Sequence, residues 1–172
     1  MALLKVYTFP NPILKQKTDI VTVFDQDLND TTKSMLETMY FSSGIGLAAI
    51  QVGILKRIIV IDLKSGAEDI INREPYVFIN PKIVNESGKT VSEEGCLSVI
   101  DFRGEIERSE KITVEYQNLN GKSLKFEAED MMSICLQHEI DHLNGILFID
   151  HLPYLKQKMV KKRLAKIAAA DI

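Results

Sequence analysis

The sequence predicts an α+β fold, with antiparallel or mixed β-sheets around a central metal-binding helix and a further helix at the C-terminus. Three observations predict it. A helical stretch is followed by β-branched runs and then by two more helical stretches, so strands and helices are grouped rather than alternating. Asn120-Gly121 joins two strand-like segments as a tight hairpin. The run Gln137-His138-Glu139-Ile140-Asp141-His142-Leu143 sets two histidines four apart, a spacing that brings side chains onto one helix face.

The elements follow in order. Asn11-Pro12 after Pro10 reads as an irregular N-terminal loop. Residues 25 to about 41 read as a helix, because Leu28, Met35, Leu36 and Met39 form an apolar stripe; Ser42-Ser43-Gly44 stops it. Residues 57–63 are rich in β-branched side chains and read as a buried strand. Residues 64–75 are polar and read as a loop. Residues 76–79 and 82–84 read as strand pieces interrupted by Asn80-Pro81. Residues 105–108, 111–117 and 122–128 read as short antiparallel strands. Residues 130–144 form the metal helix, with Glu129 and Asp130 suiting its start and Gly145 its stop. Residues 154–170 form the final helix.

The chain has 172 residues, 45% hydrophobic and 26% charged, which suits a single domain over residues 1–172. Its core is expected over about 4–152. A formal net charge of −3 gives no reason to expect nucleic acid across the whole surface. No apolar run approaches the roughly 18 residues of a membrane span, so no membrane partner is expected. The first ten residues show neither a signal-peptide nor a transit-peptide pattern, so a cytoplasmic site of action is expected, with Cys96 and Cys135 reduced.

On the metal helix, His138 and His142 lie about 6 Å apart along the axis and can grip one ion. Glu139 is rotated by about 100°, beside the ion rather than on it, where a carboxylate can take a proton from activated water. Leu136, Ile140 and Leu143 fall on the opposite side and should pack into the core. Met131, Ile134 and Cys135 fall on the His138 side and can line a substrate pocket. A catalytic ion of this kind has three protein ligands and an open position. His151, Asp150 and Asp171 are the downstream candidates, and no glutamate follows, which counts against a His-His-Glu metalloprotease. Cys135 lies too far along the axis. Cys96, in the separate segment Glu93-Glu94-Gly95-Cys96-Leu97-Ser98, is the favoured third ligand over His151 or an aspartate. The glycine-rich segment 44–51 carries a dinucleotide-like spacing, but a helix precedes it where a strand is required. A tight backbone against the substrate, with Gln51 offering an amide to an oxyanion, fits better.

Three segments in this order resemble the peptide deformylase family: Gly-Ile-Gly-Leu-Ala-Ala-Ile-Gln at 44–51, Glu-Gly-Cys-Leu-Ser at 94–98, and Gln-His-Glu-Ile-Asp-His-Leu at 137–143. The likeness covers about residues 4–152, including Pro10-Asn11-Pro12, Val52-Gly53 and Asn80-Pro81. The resemblance implies removal of the formyl group from N-formylmethionine at the start of nascent polypeptides. It implies Cys96, His138 and His142 as ligands of one divalent ion, Fe²⁺ foremost, with Zn²⁺, Ni²⁺ or Co²⁺ able to take its place. It implies Glu139 as general acid and base, Gln51 with the backbone N–H of Leu97 as the oxyanion site, and Ile45, Gly46, Glu94, Ile134 and Cys135 around the substrate. Two positions depart from the pattern: Ile100 stands where proline is usual, and Lys15 where arginine is usual. Ile100 is expected to loosen the loop carrying Cys96 and Leu97.

The final helix is strongly basic within an acidic chain, through Lys156, Lys158, Lys161, Lys162, Arg163 and Lys166, with Leu155, Val160, Leu164 and Ile167 as an apolar stripe. Packing on the body is one reading of it; docking of the enzyme, as a monomer, on the ribosome is the other. The rivals to a deformylase are a metallo-endopeptidase and a degenerate metal-binding module. Glu139 and Gln51 speak against the second, because a structural site needs neither.

Overall fold

The computed structural model describes residues 3–66 and 70–170, so Asp171 and part of the 64–75 loop lie outside the described residues. The elements run α1 (Gln26–Phe41), β1 (Gly46–Ala48), β2 (Ile58–Ile61), β3 (Tyr76–Ser87), β4 (Thr90–Cys96), β5 (Val99–Arg108), β6 (Lys111–Gln117), β7 (Ser123–Glu129), α2 (Asp130–Leu143) and α3 (Tyr154–Ala170). Short 3₁₀ turns lie at Pro12–Lys15, Ala49–Val52, Ile70–Asn72 and Phe148–His151.

One five-stranded antiparallel sheet has the order β1-β2-β3-β6-β7, and β4 and β5 form a separate hairpin. Strand β2 is covered on both faces. Ile58 and Val60 point towards Met35 and Met39 of α1, while Ile59 and Ile61 point towards Leu136, Ile140 and Leu143 of α2. That is why β2 reads as a continuous apolar run. The three α2 residues expected in the core are there.

Several elements differ from the sequence expectation. β1 and β4 were not expected, and β5 begins at Val99 rather than near 105. β1 is three residues long and starts on glycine. β4 is mostly polar because it pairs only with β5. The N-terminal loop and the 64–75 segment contain 3₁₀ turns, and Leu14 of the first is buried. β3 runs through Asn80-Pro81 rather than breaking there, with a shift of register between Ile79 and Lys82. Asn80 takes φ +52, which asparagine tolerates, and its amide bonds both Val21 N–H and Val21 C=O and donates to Gln117 Oε1 at 2.7 Å.

Helix α2 is held at its C-terminal end and along its side. Gly145, at φ +76, closes it: Gly145 N–H bonds His142 C=O and Ile146 N–H bonds Asp141 C=O. The last carbonyl, on Leu143, accepts from Thr18 N–H, Thr18 Oγ1 and the Arg57 guanidinium, a cation where the helix dipole favours one. Gln137 bridges sideways, accepting from Ser109 N–H and donating to Ser109 C=O. The histidines between these anchors have little freedom to move.

Candidate metal centre

His138 and His142 are both buried on α2, and their Nε2 atoms lie 3.2 Å apart. The end of β4 brings Cys96 Sγ to 3.3 Å from His142 Nε2. The three donor atoms all lie within 4.8 Å of one another. Metal–nitrogen bonds of about 2.0–2.1 Å and a metal–sulfur bond of about 2.3 Å put tetrahedral donors roughly 3.3–3.6 Å apart. The protein therefore presents a donor triad of the size a small divalent ion needs.

The surroundings suit an ion as well. Ser98 N–H and Gln51 Nε2 point at Cys96 Sγ from 3.4 and 3.5 Å and fix where the sulfur sits. Burial, with the His138 and Arg108 charges, pushes His142 down, towards the neutral imidazole a ligand must be. His138 differs: burial opposes its charged form too, but Glu139, Cys96 and Glu94 outweigh it and raise that residue, so an ion bound there would displace a proton. His138 Nδ1 lies 2.9 Å from Glu94 Oε1, so Nε2 is the free face of that ring. The candidates His151 and Asp150 are elsewhere. His151 bonds Asp141 at 2.8 Å, and Asp150 accepts from Leu147 N–H and pairs with Lys161.

Behind His138 stands a buried polar chain. The Arg108 guanidinium grips Glu94 with two bonds of 2.8 and 2.9 Å and reaches Asp141 at 2.7 Å. Burial works against the Glu94 charge, but Arg108 and His138 overcome it and hold the carboxyl at about 2. The Glu94 carboxylate is thus turned to Arg108 and His138, although the residue also lines the cleft.

Glu139 lies in the cleft beside the triad, 5% exposed, and its Oε1 has no hydrogen-bond partner among the described residues. Burial pushes it up to about 7, with the Glu94 charge adding to the rise and His138 opposing it. A carboxylate so placed can both accept and return a proton near neutrality. Gly46 packs directly on it: a Cβ there would meet Glu139 Oε2 at 2.6 Å. Gln51 is locked by its own contacts, Oε1 accepting from Ala48 N–H at 2.9 Å and Nε2 donating to Ser98 Oγ at 3.0 Å.

The cleft has a volume of about 430 Å³. Ile45, Gly46, Gln51, Leu97, Ile134 and Cys135 all line it. The 97–98 turn carrying Leu97 is pinned by Phe9 N–H to Ser98 C=O at 2.8 Å and by the Gln51–Ser98 bond, with Ile100 outside at 41% exposure. Three contributors were missed from the sequence: Arg108, Ser98 and Gln137. Arg108 carried a signal. Gly104, Ile106 and Arg108 alternate inward along β5, so the arginine occupies a core-facing position and requires buried partners.

The chain is similar to known proteins of one family along nearly its whole length. The family model described as polypeptide deformylase matches residues 3–158. A peptide deformylase of Rhizobium meliloti is 47% identical over 98% of this chain and 95% of its own. One from Mesorhizobium japonicum is 48% identical over 92% of this chain and 89% of its own. The crystal structure of a peptide deformylase from Legionella pneumophila superposes with a TM-score of 0.89 at 38% identity, over 99% of this chain and 98% of that one. The corresponding Plasmodium falciparum structure gives a TM-score of 0.89 at 38% identity, over 96% of each chain. With agreement running the length of the fold, the chain belongs to the polypeptide deformylase family, metallohydrolases that remove the N-formyl group from nascent peptides.

Proposed function

We propose that Cys96, His138 and His142 hold one divalent ion, Fe²⁺ by resemblance, and that Glu139 performs the acid–base chemistry of deformylation beside it. The observation that carries this reading is the donor triad within 4.8 Å, with the unpartnered Glu139 oxygen in the same cleft. When bound, the ion supplies Lewis acidity to the formyl oxygen and makes water acidic enough to react near neutrality. Glu139 takes the proton as water adds to the formyl carbon. It then returns that proton to the peptide nitrogen as the C–N bond breaks, leaving formate and a free amine. Leu97 N–H and Gln51 Nε2, through the proton that faces Cys96 Sγ only at 3.5 Å, donate to the oxygen that gains charge. Ile45, Gly46, Ile134 and Cys135 contact the methionine side chain and first peptide bond. Glu94 forms part of the wall, while its carboxylate orients His138. A single chain supplies every one of these groups, as a monomeric, one-domain catalyst requires, and the place of action we propose is the cytoplasm, where nascent peptides emerge.

The test is Glu139→Ala. Formate release from formyl-Met-Ala-Ser should fall at least about 10²-fold with metal content unchanged. Activity retained in the metal-loaded variant refutes the role. Metal analysis after anaerobic purification identifies the ion.

The basic helix α3 supports a second reading, docking on the ribosome. Val160 and Leu164 are buried against Leu14, Val99, Phe148 and Leu152, so α3 is packed on the body. Leu155, expected in that packed stripe, is 75% exposed, and Met159 is 72% exposed. About 100° per residue puts both on one outer face with Lys162 and Lys166. Changing Lys158, Lys162 and Lys166 to Glu leaves Val160 and Leu164 in place. It should abolish salt-sensitive ribosome binding, and unchanged binding removes the docking role.

A further inference from the structure

The carboxylate of Asp62 is fully buried and faces no cation at hydrogen-bond distance among the described residues. It sits just beyond the end of β2 and collects three donors. Oδ1 accepts from Lys64 N–H at 2.8 Å, and Oδ2 accepts from Glu74 N–H at 3.0 Å and from the Tyr40 hydroxyl at 2.6 Å. The Arg73 guanidinium lies over the Tyr40 ring, 4.0 Å from the ring centre. Burial first, and the Asp62 bond second, raise Tyr40, so its hydroxyl donates throughout the working pH range.

The same residue reaches the cleft through its backbone. Asp62 N–H donates to Ile45 C=O at 2.8 Å, extending the β1–β2 pairing by one rung beyond Gly46 opposite Ile61. On the other side, Gly44 N–H is tied to Met39 C=O at 3.0 Å, next to Tyr40. The cleft wall Ile45–Gly46 is therefore stretched between α1 and β2, and the Tyr40–Asp62 bond joins those two supports. Gly46 in turn touches the Glu139 carboxylate with no room for a methyl group.

We infer that Tyr40 and Asp62 are positioning residues for deformylation, setting the Ile45–Gly46 wall against Glu139 without touching substrate. The inference rests on the reading that Glu139 is the acid–base group and that Ile45–Gly46 faces the peptide. The order of influence is Tyr40 hydroxyl, Asp62 carboxylate, Asp62 N–H, Ile45 carbonyl, Gly46 backbone, Glu139. A displacement of even a fraction of an ångström at the last link is felt in the barrier, since misplacement by about 1 Å can cost about 10²-fold in rate.

Tyr40→Phe removes one oxygen atom and keeps the ring under Arg73. In the metal-loaded enzyme, kcat/KM for formyl-Met-Ala-Ser should fall about tenfold, mostly in kcat. Metal content and the folded fraction at the assay temperature should match the parent. A packing role alone would lower the melting temperature and leave kcat of the folded enzyme unchanged. Because the two residues act through one bond, Tyr40→Phe combined with Asp62→Asn should be no slower than Asp62→Asn alone. If Asp62→Asn does not fold, Tyr40→Phe by itself still decides. A folded, metal-loaded Tyr40→Phe with kcat/KM within about twofold of the parent overturns the inference. Glu139→Ala, assayed alongside, separates the two failures: retained activity there sinks the acid–base reading instead.

Discussion

Glu94→Gln isolates what the buried chain behind His138 contributes. The substitution keeps the shape of the side chain and removes one charge. Glu94 and Arg108 are each about 5% exposed at the side chain, and the carboxylate accepts two bonds from Arg108 and faces His138 Nδ1. Stranding one partner of a buried ion pair costs about 3–5 kcal/mol. Asp141 still reaches Arg108 at 2.7 Å, and the glutamine oxygen still accepts one bond, so the expected loss is nearer ~2 kcal/mol. For a domain of this size that lowers the melting temperature by about 4–8 °C.

The effect on the metal is separate from the effect on the fold. A neutral amide oxygen is a weaker partner for the Nδ1–H of His138, so the ring is less well oriented and less basic. Loss of such a supporting contact costs about 10–100-fold in metal affinity. Competition with a chromophoric chelator measures this directly, at a temperature where both proteins are folded. An affinity within about twofold of the parent refutes the argument that Glu94 supports His138. A lower melting temperature with unchanged affinity would assign the Glu94–Arg108 pair to the fold alone.

Two further substitutions probe close backbone contacts. Gly46→Ala places a methyl group on Glu139 Oε2, so kcat for formate release should drop about 10²-fold while the chelator competition is unchanged. Retained kcat would show that the wall yields instead of the carboxylate. Gly145→Ala meets the Lys15 carbonyl and demands a left-handed alanine at φ +76. It should destabilise the fold by at least about 2 kcal/mol, read as a melting-temperature loss of about 4–8 °C or more.

What the sequence made legible was whatever repeats along one element or falls within one short segment. The α1 stripe, the β2 run and the Asn120-Gly121 turn were readable because each is local. So was the pairing of His138 with His142. Cys96, the proposed third ligand, was reachable by a different route, because coordination chemistry demands a third ligand and few residue types could supply one. β4 was not legible, since a polar two-stranded edge has no periodic apolar face to read. The path of β3 through Asn80 was not legible either. Its continuity depends on an amide bonding Val21, 59 residues away, and no local pattern carries that.

The polar partnerships show where the boundary lies. Arg108 shares the inward phase of Ile106, so its burial follows from the β5 pattern, and a buried guanidinium must find acids. The pattern does not say which ones. Glu94 and Asp141 answer that only because β4 pairs antiparallel with β5, and because the Asp141 turn of α2 comes down beside both. The same holds for Asp62, which reads in sequence as the polar end of an apolar strand. Its meaning appears only when Tyr40 arrives from α1 and Ile45 from the bend just before β1. The proposed ligands of this site are thus written in segments, but the groups that aim them are written in the topology. Substitutions at Glu94, Arg108, Tyr40 and Asp62 therefore test the fold's part in catalysis more directly than substitutions at the ligands do.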